Sequence, residues 1–147
     1  MMNFFLTITD KNYLFKTLTL IDSLQNNIFI LCQDRESYDF LEQNYKEKKE
    51  KINLIELDDI KNINELKKKS LDRTHREFSV SLKPYLVDHI LNNREYVQKL
   101  IILDSDTFFF NYNENELFEL IENDVVISSH NFSEQNKNKI IYGDVNT

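Results

Sequence analysis

An apolar run leads directly into two carboxylates in the stretch KLIILDSDT, residues 99–107. A continuous run of Ile and Leu predicts a strand that is buried on both faces of a sheet, because such strands show no polar alternation. Side chains of extended backbone alternate between sides, so Asp104 and Asp106 are expected to share one side. Two carboxylates at the carboxyl end of a central strand are a candidate binding site for a hard divalent cation. The alternative is that an isolated Asp-x-Asp pair only caps a turn.

Composition indicates one globular domain. The chain has 147 residues, of which 41% are hydrophobic and 12% aromatic, which is too apolar for a disordered protein. The net charge of -7 argues against nucleic-acid binding and against binding to anionic membranes. No apolar stretch is long enough to span a bilayer, and no signal peptide is expected. Cys32 is expected to be a buried small hydrophobic side chain, and the absence of a disulfide partner favours a cytoplasmic location.

Strands and helices alternate along the chain. We predict strands at residues 3–9, 28–32, 52–57, 99–103, 108–110 and 124–128, and helices at residues 13–24, 37–45, 58–70, 79–91 and 114–121. Pro84 is best tolerated in the first turn of a helix, which predicts a helix start near Ser81 or Leu82. Lys83 would then lie at a helix N-terminus, a suitable place for binding an anion. Residues 71–78 are expected to form a loop near the site.

This alternation predicts an α/β fold with a mainly parallel, Rossmann-like sheet and flanking helices. Ligands of such sheets bind outside the carboxyl ends of the strands. Thr9 and Asp10 after the first strand should therefore share one edge with residues 104–106. The chain contains no Gly-x-Gly-x-x-Gly and no Walker loop, which argues against dinucleotide-binding and P-loop proteins.

Three motifs, taken in order, resemble the nucleotide-sugar-dependent glycosyltransferases of the GT-A fold. The motifs are TDKNY at residues 9–13, SLKPY at residues 81–85 and IILDSD at residues 101–106. The closest likeness is to the retaining group that includes glycogenin and bacterial lipopolysaccharide galactosyltransferases. The segments SSHNFS, NKN and YG between residues 128 and 143 are similar to a bacterial branch of sugar transferases. The resemblance covers nearly the whole chain.

The resemblance implies metal-dependent transfer of a sugar from a nucleotide-diphosphate sugar, with a UDP-sugar expected. The acceptor would be a carbohydrate, lipid or protein, such as a cell-surface polysaccharide or lipopolysaccharide. Asp104 and Asp106 would hold Mn²⁺ or Mg²⁺ against the diphosphate, with Asp106 as the direct ligand and Asp104 shared with the ribose. Lys83 would be catalytic, because it would pair with the diphosphate leaving group. The implied nucleotide-binding set is Thr7, Thr9, Asp10, Tyr13, Lys83, Asp104 and Ser105.

Several of these residues have simpler interpretations. Tyr13 could serve only to pack the start of a helix, and Lys83 could be solvated. His75 and Arg76 are equally well explained as phosphate contacts or as solvated loop residues. His89 is expected to be a packing or surface residue. His130, after a predicted strand, is a weak candidate.

Members of the family continue beyond the length of this chain, and their third metal ligand, usually a His, lies in that later part. The resemblance therefore predicts that residues 1–147 are a single nucleotide-sugar-binding domain, the N-terminal portion of a catalytic domain. The alternative is an inactive nucleotide- and metal-binding fragment, or one half of a split protein that a partner chain completes. An exposed sheet edge would favour self-association.

A phosphatase with an Asp-x-Asp nucleophile is a weaker alternative. That motif normally lies on the first strand and needs a Thr two residues after the pair. Here the motif lies late in the chain and Phe108 occupies the position of that Thr.

Overall fold

A computed structural model of the chain describes residues 2–110, 113–121, 128–129 and 145–146. The strands are β1 (Met2–Thr9), β2 (Asn27–Cys32), β3 (Ile52–Glu56), β4 (Val97–Ile102), β5 (Ser128–Ser129) and β6 (Val145–Asn146). The α-helices are α1 (Leu14–Ser23), α2 (Arg35–Asn44), α3 (Ile63–Lys69), α4 (His75–Asn93) and α5 (Glu114–Glu119), with 3-10 turns at Lys46–Lys48 and Leu57–Asp59. Most of the predicted strand at residues 124–128, the segments that follow it and His130 lie outside the described residues.

The first four strands form one parallel sheet in the order β3-β2-β1-β4. β1 lies between β2 and β4, with Phe5 opposite Ile28 on one side and Ile101 on the other. β5 and β6 form a separate antiparallel pair. The predicted α/β class with a mainly parallel sheet and flanking helices is confirmed, and the arrangement is compatible with a Rossmann-like fold.

Alternation along the strands divides the core into two layers. One layer packs β1 to β3 against α3 and α4 and contains Phe4, Leu6, Phe29, Leu31, Ile55, Ile60, Ile63, Leu66, Leu82, Leu86 and Ile90. The other packs the opposite face against α1, α2 and α5 and contains Phe5, Leu20, Ile21, Leu24, Ile28, Ile30, Cys32, Leu41, Ile52 and Phe118. Neighbouring residues of β1 therefore serve different layers, as the period of a strand requires.

β4 is less buried than its sequence predicts. Within residues 2–110 it pairs with β1 alone and lies at the edge of the sheet. Leu100 and Ile101 are half-buried, whereas Ile102 is 39% exposed. The predictions of a central strand and of burial on both faces are therefore not met among the described residues.

The predicted start of the helix around Pro84 is wrong. α4 begins at His75, because Thr74 and Glu77 form a capping box. The Glu77 N–H donates to Thr74 Oγ1 at 3.3 Å, and the Thr74 N–H donates to Glu77 Oε2 at 2.8 Å. The Thr74 N–H and the Thr74 hydroxyl both donate to Glu77 Oε2, and these two bonds hold the pKa of Glu77 below its ordinary value. Pro84 consequently lies inside the helix, where it cannot donate a backbone hydrogen bond.

Two further predictions are corrected. Residues 75–78, expected in a loop, form the first turn of α4. Residues 108–110, expected to be a buried strand, have no regular structure. Phe108 and Phe110 are 43% and 80% exposed, and only Phe109 is half-buried against Phe5, with ring centroids 5.6 Å apart. Apolar composition alone does not distinguish these two environments.

No helix in the described ranges combines the length and the apolar character that crossing a membrane would require.

We predict that Thr74→Ala destabilises the protein by about 1 kcal/mol, because it removes the cap of α4. Urea unfolding followed by circular dichroism measures this loss. Thr19→Ala is the matched control, because Thr19 is exposed and donates to the Phe15 carbonyl within α1, away from any helix cap. Equal stability of the two variants would show that α4 does not begin at His75.

Cys32 is buried at the end of β2, as predicted, and burial raises the pKa of its thiol to about 12 from an ordinary value of 9.0. Above about pH 9 the unfolded chain loses this proton while the folded chain keeps it. The free energy of unfolding should therefore fall between about pH 9 and 12, by up to about 1.4 kcal/mol per pH unit.

Urea unfolding at about pH 8 and about pH 10 tests this dependence in the native chain and in Cys32→Ala. Tyr38 and Tyr45, whose pKa values burial also raises, remain in both proteins, so the difference between the two isolates the cysteine. Identical pH profiles of native chain and variant would contradict the prediction.

Candidate functional site

The order of the strands creates a switch point between β1 and β4. From β1 the chain moves outward through β2 and β3, and it then crosses back to the other side of β1 to form β4. Crossovers on either side of such a point leave a crevice outside the carboxyl ends of the two strands, where ligands of open α/β sheets bind. Asp10 follows β1 and Asp104 follows β4 closely, so both acidic residues lie at this crevice.

The end of β4 is fixed to β1 by two hydrogen bonds at Leu103. The Leu103 N–H donates to the Leu6 carbonyl at 2.8 Å, and the Thr7 hydroxyl donates to the Leu103 carbonyl at 2.9 Å. Thr7 is fully buried, so water does not compete for this bond. The position at which residue 104 leaves the sheet is therefore well defined.

The two candidate metal ligands lie in a tight turn. The Thr107 N–H donates to the Asp104 carbonyl at 3.0 Å, and Ser105 is buried in the turn. The extended backbone on which the sequence argument placed Asp104 and Asp106 on one side is therefore not present. The turn is closed by this hydrogen bond between Thr107 and Asp104, which the apolar pattern of β4 does not predict.

Each carboxylate of the turn contacts a lysine from a different layer. Lys83 Nζ, from α4, lies 3.2 Å from Asp104 Oδ1, and its side chain is only 17% exposed. Lys16 Nζ, from α1, lies 3.5 Å from Asp106 Oδ2. The carboxylates themselves are 60% and 54% exposed, so they face solvent as well as their lysines.

Lys83 approaches the turn from within α4. It lies more than two turns after His75, so its predicted place at a helix N-terminus is wrong. Its contact with Asp104 comes instead from the packing of α4 across the sheet, in which Leu82 and Leu86 are buried. The structure thus brings Lys83 beside Asp104, two residues that the resemblance assigns to one site, but it does so through the packing of α4 and not through a helix N-terminus.

Asp10 is buried, and both of its carboxylate oxygens have partners within the protein. Its Oδ1 accepts from the backbone N–H groups of Asn12 at 2.7 Å and Tyr13 at 2.9 Å. Its Oδ2 lies 2.5 Å from His75 Nε2, and the His75 side chain is 61% exposed. Asp10 therefore fastens the loop before α1 and also joins the end of β1 to the first turn of α4.

Asp34 supports the same loop from the next strand. It caps α2 by accepting from the Ser37 N–H, and its Oδ2 accepts from the Lys11 N–H, both at 2.8 Å. Burial alone would raise the pKa of Asp34, but the hydrogen bonds from Ser37 and Lys11 hold it below its ordinary value. Two carboxylates thus bind three consecutive N–H groups of residues 11–13, which leaves this loop little freedom.

Tyr13 and Lys16 form the exposed end of α1 at the crevice. Tyr13 is the N-cap residue of α1 and is 44% exposed. Lys16 Nζ lies 4.5 Å from the centroid of the Tyr13 ring, at a distance typical of a cation–π contact. Lys16 therefore links Tyr13 to Asp106.

The remaining predicted binding residues are enclosed. Thr7 is bonded to Leu103, and Thr9 is buried with its hydroxyl 2.6 Å from that of Thr17. Ser105 is buried in the turn of residues 104–107, which we call the acidic turn because it carries Asp104 and Asp106. These three side chains support the crevice from within, and their predicted contact with a nucleotide remains a prediction.

Asp104 and Asp106 are an incomplete ligand set for a divalent cation. In residues 2–110 and 113–121 no group of three or more His, Cys, Asp or Glu side chains could hold a metal ion. Two exposed carboxylates nevertheless fit Mg²⁺ or Mn²⁺ bound together with phosphate oxygens, because such ions keep several water or phosphate ligands. A groove of about 210 Å³ beside β3 involves none of these residues.

Lys16 and Asp34 are not among the site residues predicted from the sequence, and His75 has no single predicted role. Lys16 lies three residues after Tyr13, a spacing that places both side chains on one face of a helix. Asp34 directly precedes α2, where an acidic N-cap residue is common. Both signals were therefore present, but only the tertiary structure brings them to the crevice.

Comparison with known proteins finds relatives in Bacillus subtilis (strain 168). The protein YfnD, described as uncharacterized, is 29% identical over 111 residues, which are 72% of this chain and 34% of YfnD. YfnF, also described as uncharacterized, is 28% identical over 109 residues, which are 71% of this chain and 35% of YfnF. The match thus spans about a third of the length of these curated relatives. No family model and no solved structure matches the chain.

We predict that Asp10→Ala lowers the free energy of unfolding by about 2 to 4 kcal/mol, because the N–H groups of Asn12 and Tyr13 and the His75 ring all lose their carboxylate partner. Asp106→Ala, at a half-exposed position, should change it by no more than about 0.5 kcal/mol. Urea unfolding measures both changes. Similar losses in the two variants would contradict a structural role for Asp10.

Proposed function

We propose that this chain carries the nucleotide-binding part of a GT-A glycosyltransferase, which transfers a sugar from a nucleotide-diphosphate sugar, expected to be a UDP-sugar, with the help of Mn²⁺ or Mg²⁺. The observation that carries the proposal is the acidic turn at the switch point. Two exposed carboxylates lie there beside a largely buried lysine, 3.2 Å from Asp104. This combination of charges suits a divalent cation and a diphosphate bound together.

Asp104 and Asp106 would hold the metal ion in this proposal. A bound divalent cation supplies neutralisation of the charge that develops on the departing nucleoside diphosphate. Both carboxylates are exposed enough to reach such an ion, and the bonds at Leu103 fix the turn that carries them. Preorganisation of this kind lowers the cost of ordering the site when the ligand binds.

Lys83 is the residue that would contact the diphosphate. Its ammonium group lies against Asp104 and is held by a helix whose neighbouring residues are buried in the core. A lysine held beside the leaving group would stabilise negative charge in the transition state. The position inside α4 removes any help from a helix N-terminus, so this role depends on the ammonium charge itself.

Tyr13 would provide an aromatic face for the nucleotide base. Its ring is partly exposed at the crevice, and the loop before it is held by Asp10 and Asp34. A rigid loop presents the ring without a large entropic cost on binding. Both oxygens of Asp10 already contact protein groups, so we assign this residue to positioning the loop.

Binding without turnover is the second candidate. Among residues 2–110 and 113–121, two carboxylates are not joined by a third ligand, so a complete metal site would need ligands from elsewhere. This observation favours a nucleotide- and metal-binding portion that a further segment or a partner chain completes. The acceptor, whether carbohydrate, lipid or protein, would then also contact that other part.

We predict that UDP binds this chain in a metal-dependent manner and that Asp104→Asn and Asp106→Asn each weaken the binding at least tenfold, a loss of about 1.4 kcal/mol or more. Isothermal titration of UDP with and without Mn²⁺ measures the effect. Release of free sugar from UDP-sugars then separates a transferase from a binding protein.

Asp58→Asn is the matched control, because Asp58 is 82% exposed and pairs with Lys67 away from the crevice. It should leave the binding of UDP unchanged. Lys83→Met should weaken UDP binding with the affinity for Mn²⁺ alone preserved or increased. Absence of metal-dependent UDP binding in the native chain would reject the proposal for this chain.

A further inference from the structure

Lys16 occupies both halves of the proposed site at once. Its Nζ lies 3.5 Å from Asp106 Oδ2 and 4.5 Å from the centroid of the Tyr13 ring. The first group is the proposed metal ligand and the second is the proposed face for the base. A ligand at either group therefore competes with the same ammonium ion.

We propose that Lys16 is a displaceable internal cation that couples metal binding to nucleotide binding. This inference rests on the proposed function. Lys16 holds the site in a closed state, in which its ammonium group satisfies Asp106 and covers Tyr13. Either ligand binds the open state, in which Lys16 has turned to solvent, so the ligand that binds first opens the site for the second.

The charges of the acidic turn support this role. Asp104 and Asp106 carry two negative charges, and Lys83 and Lys16 bring two positive charges against them. The turn is therefore close to neutral when both lysines are in place, which weakens its attraction for a free divalent cation. Lys83 is only 17% exposed and held by α4, whereas Lys16 is 52% exposed, so Lys16 is the lysine that can leave.

A simple relation follows from the two states. If only a fraction of molecules is open, the apparent affinity for each ligand alone is multiplied by that fraction. Once one ligand is bound the site is already open, so the second ligand binds with its full affinity. The factor by which bound UDP raises the affinity for Mn²⁺ then includes the same factor by which Lys16 weakens the binding of either ligand alone. One exposed ion pair and one cation–π contact correspond to a factor of roughly three to ten.

The test is isothermal titration of the native chain and of Lys16→Met, with Mn²⁺ alone, UDP alone and Mn²⁺ at saturating UDP. We expect Lys16→Met to bind Mn²⁺ alone and UDP alone roughly three- to tenfold more tightly. The affinity for Mn²⁺ at saturating UDP should be unchanged. The coupling between the two ligands should fall by the same factor as the gain for Mn²⁺ alone.

Lys11→Met is the matched control. Lys11 lies in the same loop, but its side chain pairs with Glu36 at 3.5 Å. The Lys11→Met variant removes the same charge as Lys16→Met but no contact with Asp106 or Tyr13. We therefore expect the affinities for Mn²⁺ and UDP and their coupling to be unchanged.

The outcomes distinguish this inference from the proposed function. An equal gain in Mn²⁺ affinity with and without UDP would be a plain charge effect and would overturn the role of Lys16. Lys16→Met could also bind Mn²⁺ alone with unchanged or weaker affinity while its UDP binding still depends on the metal. That result would overturn the role of Lys16 and leave the proposed function standing. Failure of the native chain to bind either ligand would reject both.

Discussion

The structure depends on the parallel pairing of β1 with β4, completed by the bond from the buried Thr7 hydroxyl to the Leu103 carbonyl. β1 lies between β2 and β4 and contributes buried residues to both layers of the core, so its position is fixed from two sides. The bonds at Leu103 extend this order to the last residue before the acidic turn. Without them the turn would follow a half-buried edge strand and could shift relative to Asp10.

Side chains from both layers meet at this turn. Lys83 arrives from α4 on one side of the sheet, and Lys16 arrives from α1 on the other. The two differ in burial, and this difference gives them different proposed tasks. The more buried lysine can hold a fixed charge beside a ligand, whereas the exposed one can exchange its partners at small cost, because exposed ion pairs contribute little to stability.

Asp10 shows why an acidic residue at a ligand-binding edge need not bind a ligand. Its carboxylate accepts from two backbone N–H groups and contacts His75, so both of its oxygens have partners within the protein. The contact with His75 exists only because α4 starts at that residue. The capping box of Thr74 and Glu77 starts α4 there, although Pro84 predicted a later start.

Hydrophobic periodicity by itself determined the α/β class, the parallel sheet and the approximate place of most described helices and strands. Strands and helices leave periods of two and 3.6 residues in a sequence whatever their partners. It also placed Asp10, Asp104 and Asp106 at one edge of the sheet, because parallel strands end at a common edge. The expectation that Lys83 belongs to the same site came only from the resemblance to glycosyltransferases. These features follow from local patterns and from general rules of chain topology.

Only the tertiary structure decided which acidic residues remain accessible and which cations face them. Whether a residue such as Asp10 is enclosed depends on donors from distant segments, and His75 is 65 positions away. The pairing of Lys16 with Asp106 joins residues 90 positions apart, and no local period encodes it. The position of β4 at the edge of the described sheet likewise follows from the strand order and not from its apolar sequence. The composition of a strand indicates how much apolar surface it can bury, but it does not specify which strands lie beside it.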